Sequence, residues 1–139
     1  NPGAAPQPLG KIASGGELSR ISLAIQVVTA KGGTLPSMVF DEVDVGIGGA
    51  VAEVVGRLLR GLARDAQVLC VTHLAQVASQ GHRHLLVSKT SDKTAAWARL
   101  AALEDEQRTQ EIARMLGGVK LTERSLEHAR EMLRDAEDA

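Results

Sequence analysis

Two adjacent carboxylates, Asp41 and Glu42, directly follow the short apolar run "MVF". A carboxylate at the end of a buried strand is costly to desolvate unless a cation lies beside it, and Mg²⁺ binds one or two carboxylates together with water and phosphate oxygens. The second carboxylate could then polarise a water as a general base. The same pair could equally end a strand in solvent, so these two residues alone leave both interpretations open.

A second apolar run, "VLCV", is followed by Thr72 and His73. A neutral imidazole there could hydrogen-bond a phosphate oxygen or an attacking water. A lone histidine is more often structural, and His73 is a catalytic candidate mainly because a carboxylate pair ends the other run. A zinc set is not indicated, since the spacing matches no closed zinc site in the candidates Cys70, His73, His82 and His84.

The stretch "SGGE", from Ser14 to Glu17, has the spacing of a capping box but places two glycines in the first turn of a helix. Each glycine costs about 1 kcal/mol relative to alanine. A helix amino terminus attracts phosphate through its free N–H groups and its dipole, and glycine lets the phosphate approach without a Cβ in the way. Gly15 and Gly16 therefore predict a phosphate site, with close helix packing as the alternative.

The apolar pattern predicts the elements that position these residues. Helical spacing predicts a mostly buried helix over residues 16–31, with apolar residues at Leu18, Ile21, Ile25 and Val28. Its apolar face is widened by Leu23, Ala24 and Val27. A second helix follows the first strand, with an apolar side formed by Val51, Val55, Leu58 and Leu62. Continuous apolar runs predict strands at residues 37–42, 67–73 and 84–89. We further expect an edge strand at 94–103 and helices at 104–116 and 122–137.

This order of strands and helices predicts an α/β fold, with a parallel sheet flanked by helices. Ligands of such sheets bind beyond the carboxyl ends of the strands. Asp41, Glu42 and His73 all fall at such ends.

Composition excludes several classes of function for this segment. Seventeen acidic and sixteen basic residues leave no broad cationic surface for nucleic acid, and Phe40 and Trp97 are too few aromatics for a base-stacking platform. The single cysteine fits a reducing cytoplasm. No apolar run approaches the roughly 20 residues of a membrane span. The chain starts without Met in a Pro-rich stretch, as we expect of a piece cut from a longer protein or of a chain trimmed at its start.

Taken in order, three short segments resemble the signature, Walker B and switch-histidine motifs of ATP-binding-cassette ATPases: "ASGGE", "MVFDE" and "VLCVTH". The longer stretches "IASGGELSRISLAIQ", "FDEVDVGIGG" and "VTHLAQVA" are similar to the SMC-type branch of that superfamily, and specifically to its bacterial DNA-repair members. The resemblance extends over nearly the whole chain and is weakest after Leu121.

The resemblance implies a role for each site residue. Ser14, Gly15 and Gly16 would contact the terminal phosphate of ATP held by a second subunit, and Glu17 would keep the capping box. Asp41 would help to hold Mg²⁺ through water, Glu42 would be the general base, and His73 would sense the terminal phosphate. One position departs from the pattern, because Gly48 stands where transporter ATPases carry an aspartate. Asp44 is the nearest acid, and its role is open.

No G-x-x-x-x-G-K-[ST] phosphate loop occurs in the sequence. The resemblance therefore implies that residues 1–139 are the C-terminal half of a single ATPase head, and that the N-terminal half, with its phosphate loop, and a coiled coil lie elsewhere in the protein. We expect the chain alone to hydrolyse almost no ATP, because the β- and γ-phosphates lack their lysine and backbone cradle.

The resemblance also implies cofactors, partners and a setting. The cofactors are ATP and Mg²⁺. The partners are the N-terminal half of the same head, a second copy joined through ATP, and DNA contacted by the full-length protein, with no membrane. The implied function is ATP-dependent head dimerisation in the repair of DNA double-strand breaks and in recombination, in the cytoplasm at the nucleoid.

Two alternatives stay open. Asp41, Glu42 and Asp44 could build a stand-alone Mg-dependent phosphotransfer or nuclease-like domain that needs no second half. The chain could also be a non-catalytic regulatory module that keeps the fold without turnover.

Overall fold

The computed structural model describes residues 8, 15–30, 36–41, 43–92, 95–117 and 121–138. The chain divides into two compact units at the Thr72–His73 bond. The first unit contains α1 Gly15–Ala30, β1 Ser37–Phe40, α2 Gly49–Leu62 and β2 Gln67–Cys70. The second contains α3 Ala75–Ala78, β3 Leu85–Ser91, β4 Ala96–Ala102, α4 Asp105–Gly117 and α5 Glu123–Glu137. Every predicted element is present, with small shifts at its ends.

The first unit is built on a parallel pair of strands, as predicted. β1 and β2 run in register from Ser37 opposite Gln67 to Phe40 opposite Cys70. A parallel pair needs a crossover connection, which α2 provides. α2 packs against β2, and α1 packs against α2. Because both strands end at the same level, the residues that follow them emerge at one edge of the sheet.

Helix α1 is less buried than its pattern predicted. Leu23 and Val27, one turn apart, are buried, whereas Ile25 is 58% exposed and Val28 is 70% exposed. The expectation of a mostly buried helix was therefore wrong for the described residues. The helix carries apolar residues on several sides, and the described part of the chain covers only one stripe.

The buried side of helix α2 differs in part from the apolar side that was predicted. Val55 and Leu62 are buried as expected, but Val51 and Leu58 are 50% and 40% exposed. The rest of the buried stripe is formed by Ala52, Gly56 and Leu59. Small residues let a helix lie close to its neighbours, and a pattern that counts only large apolar side chains misses them.

The second unit contains an antiparallel hairpin. β3 pairs with β4 from Leu85 opposite Ala102 to Ser91 opposite Ala96. At the turn, the Asp92 N–H donates to the Ala95 carbonyl, and the Ala95 N–H donates to the Asp92 carboxylate, both at 2.9 Å. The prediction that residues 84–89 join the parallel sheet was wrong, since in the described part of the chain β3 pairs only with β4. A connection of four residues permits only antiparallel pairing.

The helices of the second unit enclose a small apolar core. Ile112 and Ala113 of α4 meet Ala129 of α5 and Ala75 of α3. α5 begins with a capping box, in which the Thr122 hydroxyl accepts from the Ser125 N–H at 3.1 Å and the Ser125 hydroxyl accepts from the Thr122 N–H at 3.0 Å. No helix among the described residues is both long and apolar enough to cross a bilayer.

Candidate functional site at the carboxyl edge of the parallel strands

Asp41 lies where the sequence predicted, directly beyond the carboxyl end of β1. Phe40 is 2% exposed and anchors the strand end, while Asp41 is exposed. Successive side chains of a strand point to opposite faces, so the chain leaves the core between these two residues. Asp41 is thus exposed to solvent at the carboxyl edge of the sheet. Glu42 falls outside the described residues, and its role stays a prediction.

The turn after β1 is held by a buried aspartate. Asp44 is 3% exposed and the adjacent Val43 is 6% exposed. The Ile47 N–H donates to the Asp44 carbonyl at 3.3 Å, and Gly46 adopts the left-handed φ of 71° that closes such a turn. A buried carboxylate is stable only with hydrogen-bond donors around it, so Asp44 has a specific environment rather than a solvated one.

Thr72 supplies one of those donors. The Val71 N–H donates to the Phe40 carbonyl at 2.9 Å, which extends the pairing of β1 and β2 by one bond. One residue further, the Thr72 hydroxyl donates to Oδ2 of Asp44 at 2.5 Å, a short hydrogen bond to a carboxylate. Two consecutive residues after β2 are therefore bonded to the β1 region. Val71 bonds through its backbone to Phe40, and Thr72 bonds through its side chain to Asp44.

The thiol of Cys70 reports the electrostatics of this edge. Burial, the largest cause, acts together with the negative charges of Asp44 and then Asp41 to raise the pKa of Cys70 to about 11. Both carboxylates therefore act on one point at the end of β2. An edge with this negative potential favours a cation.

The residues present fit a magnesium ion in part. Asp41 offers an exposed carboxylate, and Mg²⁺ commonly takes one or two carboxylates and fills its remaining positions with water and phosphate. Within the described ranges, no group of three or more His, Cys, Asp or Glu side chains could hold a metal by itself. Asp41 would therefore hold the ion jointly with water and phosphate oxygens.

The amino end of α1 is described only in part. The helix begins at Gly15, one residue before the predicted start, and Gly15 and Gly16 form its first turn. Glu17 is exposed in that turn, where a carboxylate suits the helix dipole. Ser14 lies outside the described residues, so the capping box and the phosphate contact stay predictions.

His73 is the first residue of the second unit, and its side chain is exposed. It follows Thr72 directly in the chain, so the Asp44–Thr72 bond fixes the residue before it. Its predicted contact with a terminal phosphate is untested.

Gly48, the position that departs from the expected motif, precedes α2 with a φ of −173°. That extended backbone suits any residue, and a Cβ at Gly48 would meet nothing within 4 Å. Neither backbone geometry nor lack of space therefore requires glycine here. Nothing in the structure explains the absence of an acid at this position.

Sequence reasoning missed two polar side chains. Thr72 stood inside the motif "VTH" without an assigned role, and a hydroxyl between an apolar strand and a histidine was the available signal. Arg108 of α4 gave no signal. It donates to the Ser79 carbonyl at 2.9 Å and, by a shorter bond, to the Gly81 carbonyl, and so holds the chain after α3.

The chain is similar to DNA repair proteins over nearly its whole length. It is 55% identical to DNA repair protein RecN of Vibrio cholerae over 133 residues, which are 96% of this chain and 24% of that protein. It is 54% identical to RecN of Haemophilus influenzae over 96% of the chain, and 50% identical to RecN of Deinococcus radiodurans over 96%. These two matches cover 24% and 23% of the relatives. The chain thus spans about a quarter of the relatives that it matches.

A solved structure from work on ATP-driven dimerization and DNA-stimulated activation of SMC ATPases shares the fold. Its TM-score with this chain is 0.59 at 17% identity, over 82% of this chain and 68% of that one. No family model matches the chain. The α/β architecture predicted from the sequence, that of an SMC-type ATPase head, is confirmed. Over nearly its whole length, the chain is therefore similar to DNA repair proteins named RecN, across a segment of about a quarter of their length.

Proposed function

We propose that this chain is the C-terminal half of an SMC-like ATPase head that acts in the repair of DNA double-strand breaks and in recombination. The observation that supports this most is the identity of about half of its residues to DNA repair proteins over nearly the whole chain. The placement of Asp41 beyond the end of β1, at the carboxyl edge of a parallel pair, supports the same proposal, because nucleotide ligands of α/β sheets bind there.

Each site residue has a distinct task in this proposal. Asp41 holds Mg²⁺ through water, and Glu42 takes the proton of the hydrolytic water as general base. His73 contacts the terminal phosphate. Bound ATP would supply the phosphate bond that is cleaved. Mg²⁺ would supply positive charge that offsets the negative charge of the phosphate oxygens. The chain's own residues position the water and the metal.

The amino end of α1 serves the neighbouring subunit. Ser14, Gly15 and Gly16 offer backbone N–H groups and a hydroxyl to the terminal phosphate of ATP held by a second copy, and Glu17 stabilises the first turn. Two copies are then joined by nucleotide, and hydrolysis separates them. Heads that close on ATP and open after hydrolysis couple the chemistry to the holding of DNA.

In the described part of the chain, one face of the parallel pair is exposed, and this supports a partner segment that covers it. Val39, Leu69 and Val71 are 70%, 43% and 60% exposed. Parallel sheets are normally covered on both faces. The relatives are far longer than this chain, which spans 24% of the first of them. We assign this face to the N-terminal half of the same head, with its phosphate loop. DNA would be contacted by other parts of the full-length protein, in the cytoplasm at the nucleoid.

The central test is the loss of hydrolysis in Glu42→Gln. In the full-length protein, removal of the general base should lower kcat for ATP by about 100-fold or more while ATP still binds. The control is Glu53→Gln, which alters an exposed carboxylate of α2 paired with Arg57 at 3.2 Å. That control should retain wild-type turnover.

The chain by itself gives the second arm of the test. We expect no turnover from it alone and turnover after mixing with a separately expressed N-terminal half. Metal-dependent cleavage of DNA by the chain alone would instead support the nuclease-like alternative. Nucleotide-independent function of the full-length protein would support the regulatory one.

A further inference from the structure

A side-chain hydrogen bond links Asp44 to Thr72. It joins the turn after β1 to the residue that follows β2, two segments that are 28 positions apart in the chain. The turn begins two residues after Asp41, and His73 comes directly after Thr72. Thr72 is therefore adjacent to one residue with a proposed role in hydrolysis, His73, and Asp44 lies two residues after another, Glu42.

The position of this hydrogen bond allows it to hold the two segments together. Asp44 is almost fully buried, and the Thr72 hydroxyl is 2.5 Å from its Oδ2. A hydrogen bond in the protein interior is electrostatically stronger than one in water, and water competes poorly at a buried site. The neighbouring backbone bond from Val71 to Phe40, at 2.9 Å, leaves little freedom for either segment to slide.

The alternative role for Asp44 is a second metal ligand beside Asp41. Its burial argues against that role, because a magnesium ligand must face the water and phosphate oxygens that complete the octahedron. Asp41, in contrast, is exposed. Asp41 therefore faces solvent, whereas Asp44 faces the interior of the protein.

We propose that Asp44 is a positioning residue, which acts through Thr72 to hold the loop after β1 and thereby sets the place of the carboxylates that precede it. This inference deepens the proposed function and depends on it for its kinetic consequence. A displacement of about 1 Å at a reacting group can cost about 100-fold in rate. Asp44 therefore contributes to turnover without contacting nucleotide.

The experiment compares four variants of the full-length protein. Thr72→Val removes the hydroxyl with little change of shape, and Asp44→Ala removes the acceptor. Both should lower kcat for ATP by about tenfold or more, with KM for ATP changed less than about threefold. Thr72→Ser keeps the hydroxyl, and Asp44→Asn keeps an acceptor oxygen of the same size. Both should stay within about threefold of wild-type kcat.

The double variant tests whether the two residues act as one unit. Combining Thr72→Val with Asp44→Ala should cost no more than the worse single change, because both remove the same bond. Additive losses would overturn the inference. So would wild-type kcat in Thr72→Val, or a loss in Asp44→Asn that equals the loss in Asp44→Ala, which would point to the charge of Asp44 instead.

Amide hydrogen exchange gives a readout that does not require turnover. The peptide that covers residues 43–47 should exchange faster in Thr72→Val than in wild type, and at the wild-type rate in Thr72→Ser. Equal rates in all three would overturn the inference even where kcat falls. If the wild-type protein hydrolysed no ATP, the proposed function would fail, and these exchange rates alone would decide whether the bond holds the loop. A Thr72→Val protein that does not fold leaves Asp44→Ala and Asp44→Asn to decide.

Discussion

At the residue scale, the carboxyl edge of β1 and β2 shows how burial and charge separate two neighbouring acids. Asp41 is exposed and Asp44 is buried, although only two residues lie between them. Asp41, at the strand end, is exposed to solvent. The following turn buries Asp44, whose carboxylate accepts a hydrogen bond from the Thr72 hydroxyl. The chemistry available to each acid follows from that difference, since only an exposed carboxylate can share a hydrated cation.

Cys70 allows a direct measurement of this edge. With a pKa of about 11 against an ordinary value of 9.0, it should carry about 100-fold less thiolate at pH 8 than an unfolded cysteine. We expect iodoacetamide to alkylate it correspondingly slowly. Asp44→Asn removes one of the charges that raise the pKa, so alkylation should accelerate, but only in part because burial is the larger cause.

The measurement is the alkylation rate of the Cys70 peptide by mass spectrometry, with urea-unfolded protein as the reference. Asp65→Asn serves as a matched control, since Asp65 is exposed and is not among the charges that act on Cys70. Alkylation as fast in the folded as in the unfolded protein would show that the thiol is not held in the environment described.

At the element scale, α4 organises the second unit through polar contacts as well as its core. Arg108 donates to the carbonyls of Ser79 and Gly81, beyond the end of α3. His84, just before β3, has a buried Nδ1 without a hydrogen-bond partner in the described part of the chain. Burial lowers the pKa of His84 from its ordinary value, and the positive charge of Arg108 lowers it too, against a smaller opposing effect of Glu111.

This lowered pKa makes the stability of the second unit depend on pH. Well above pH 6.5, the ordinary pKa of the group, His84 is neutral in both the folded and the unfolded chain. Its protonation therefore does not change the free energy of unfolding in that range. As the pH falls below that value, the unfolded chain takes up the proton more readily than the folded chain, so the free energy of unfolding falls. His84→Gln should weaken this loss between pH 6.5 and 5.5.

Urea unfolding followed by the fluorescence of Trp97, the only tryptophan of the chain, measures the effect. His128→Gln is the control, because His128 is exposed and faces Glu131 at 3.6 Å. An equal pH dependence in wild type and His84→Gln would refute the assignment.

At the scale of the whole molecule, the exposed apolar surface of α1 and of the parallel pair is more than this chain covers by itself. Ile25 and Val28 of α1 and Val39 of β1 are each more than half exposed. Exposed apolar side chains that lie together in a patch are typical of interaction sites. The chain spans only 24% of the first relative that it matches.

Pairing of two copies through ATP is tested with Ser14→Arg. In the full-length protein carrying Glu42→Gln, which should retain bound ATP, the wild-type α1 terminus should give an ATP-dependent dimer by light scattering. The guanidinium of Ser14→Arg would occupy the space of the neighbour's phosphate, so the dimer should be lost while each copy still binds ATP. Ser22→Arg, at an exposed position two turns further along α1, should still dimerise. An ATP-dependent dimer in Ser14→Arg would mean that the paired glycines serve packing.

Local patterns in the sequence determined the elements of this protein and the order of its motifs. Apolar periodicity placed α1, β1, α2 and β2 because each depends on residues a few positions apart. The run "MVFDE" placed Asp41 at a strand end for the same reason. Resemblance, rather than periodicity, supplied the roles of Ser14, Glu42 and His73, which lie outside the described residues or stay untested.

Only the tertiary structure decided which faces are covered and which distant groups meet. It turned Ala52 and Gly56 of α2 inward in place of Val51 and Leu58, and it paired β3 with β4. It also brought Asp44 to Thr72 across 28 positions. Contacts of that kind depend on how whole elements pack. The sequence around Thr72 is the same whether or not a distant carboxylate lies within hydrogen-bonding distance of its hydroxyl, so local patterns cannot predict the contact.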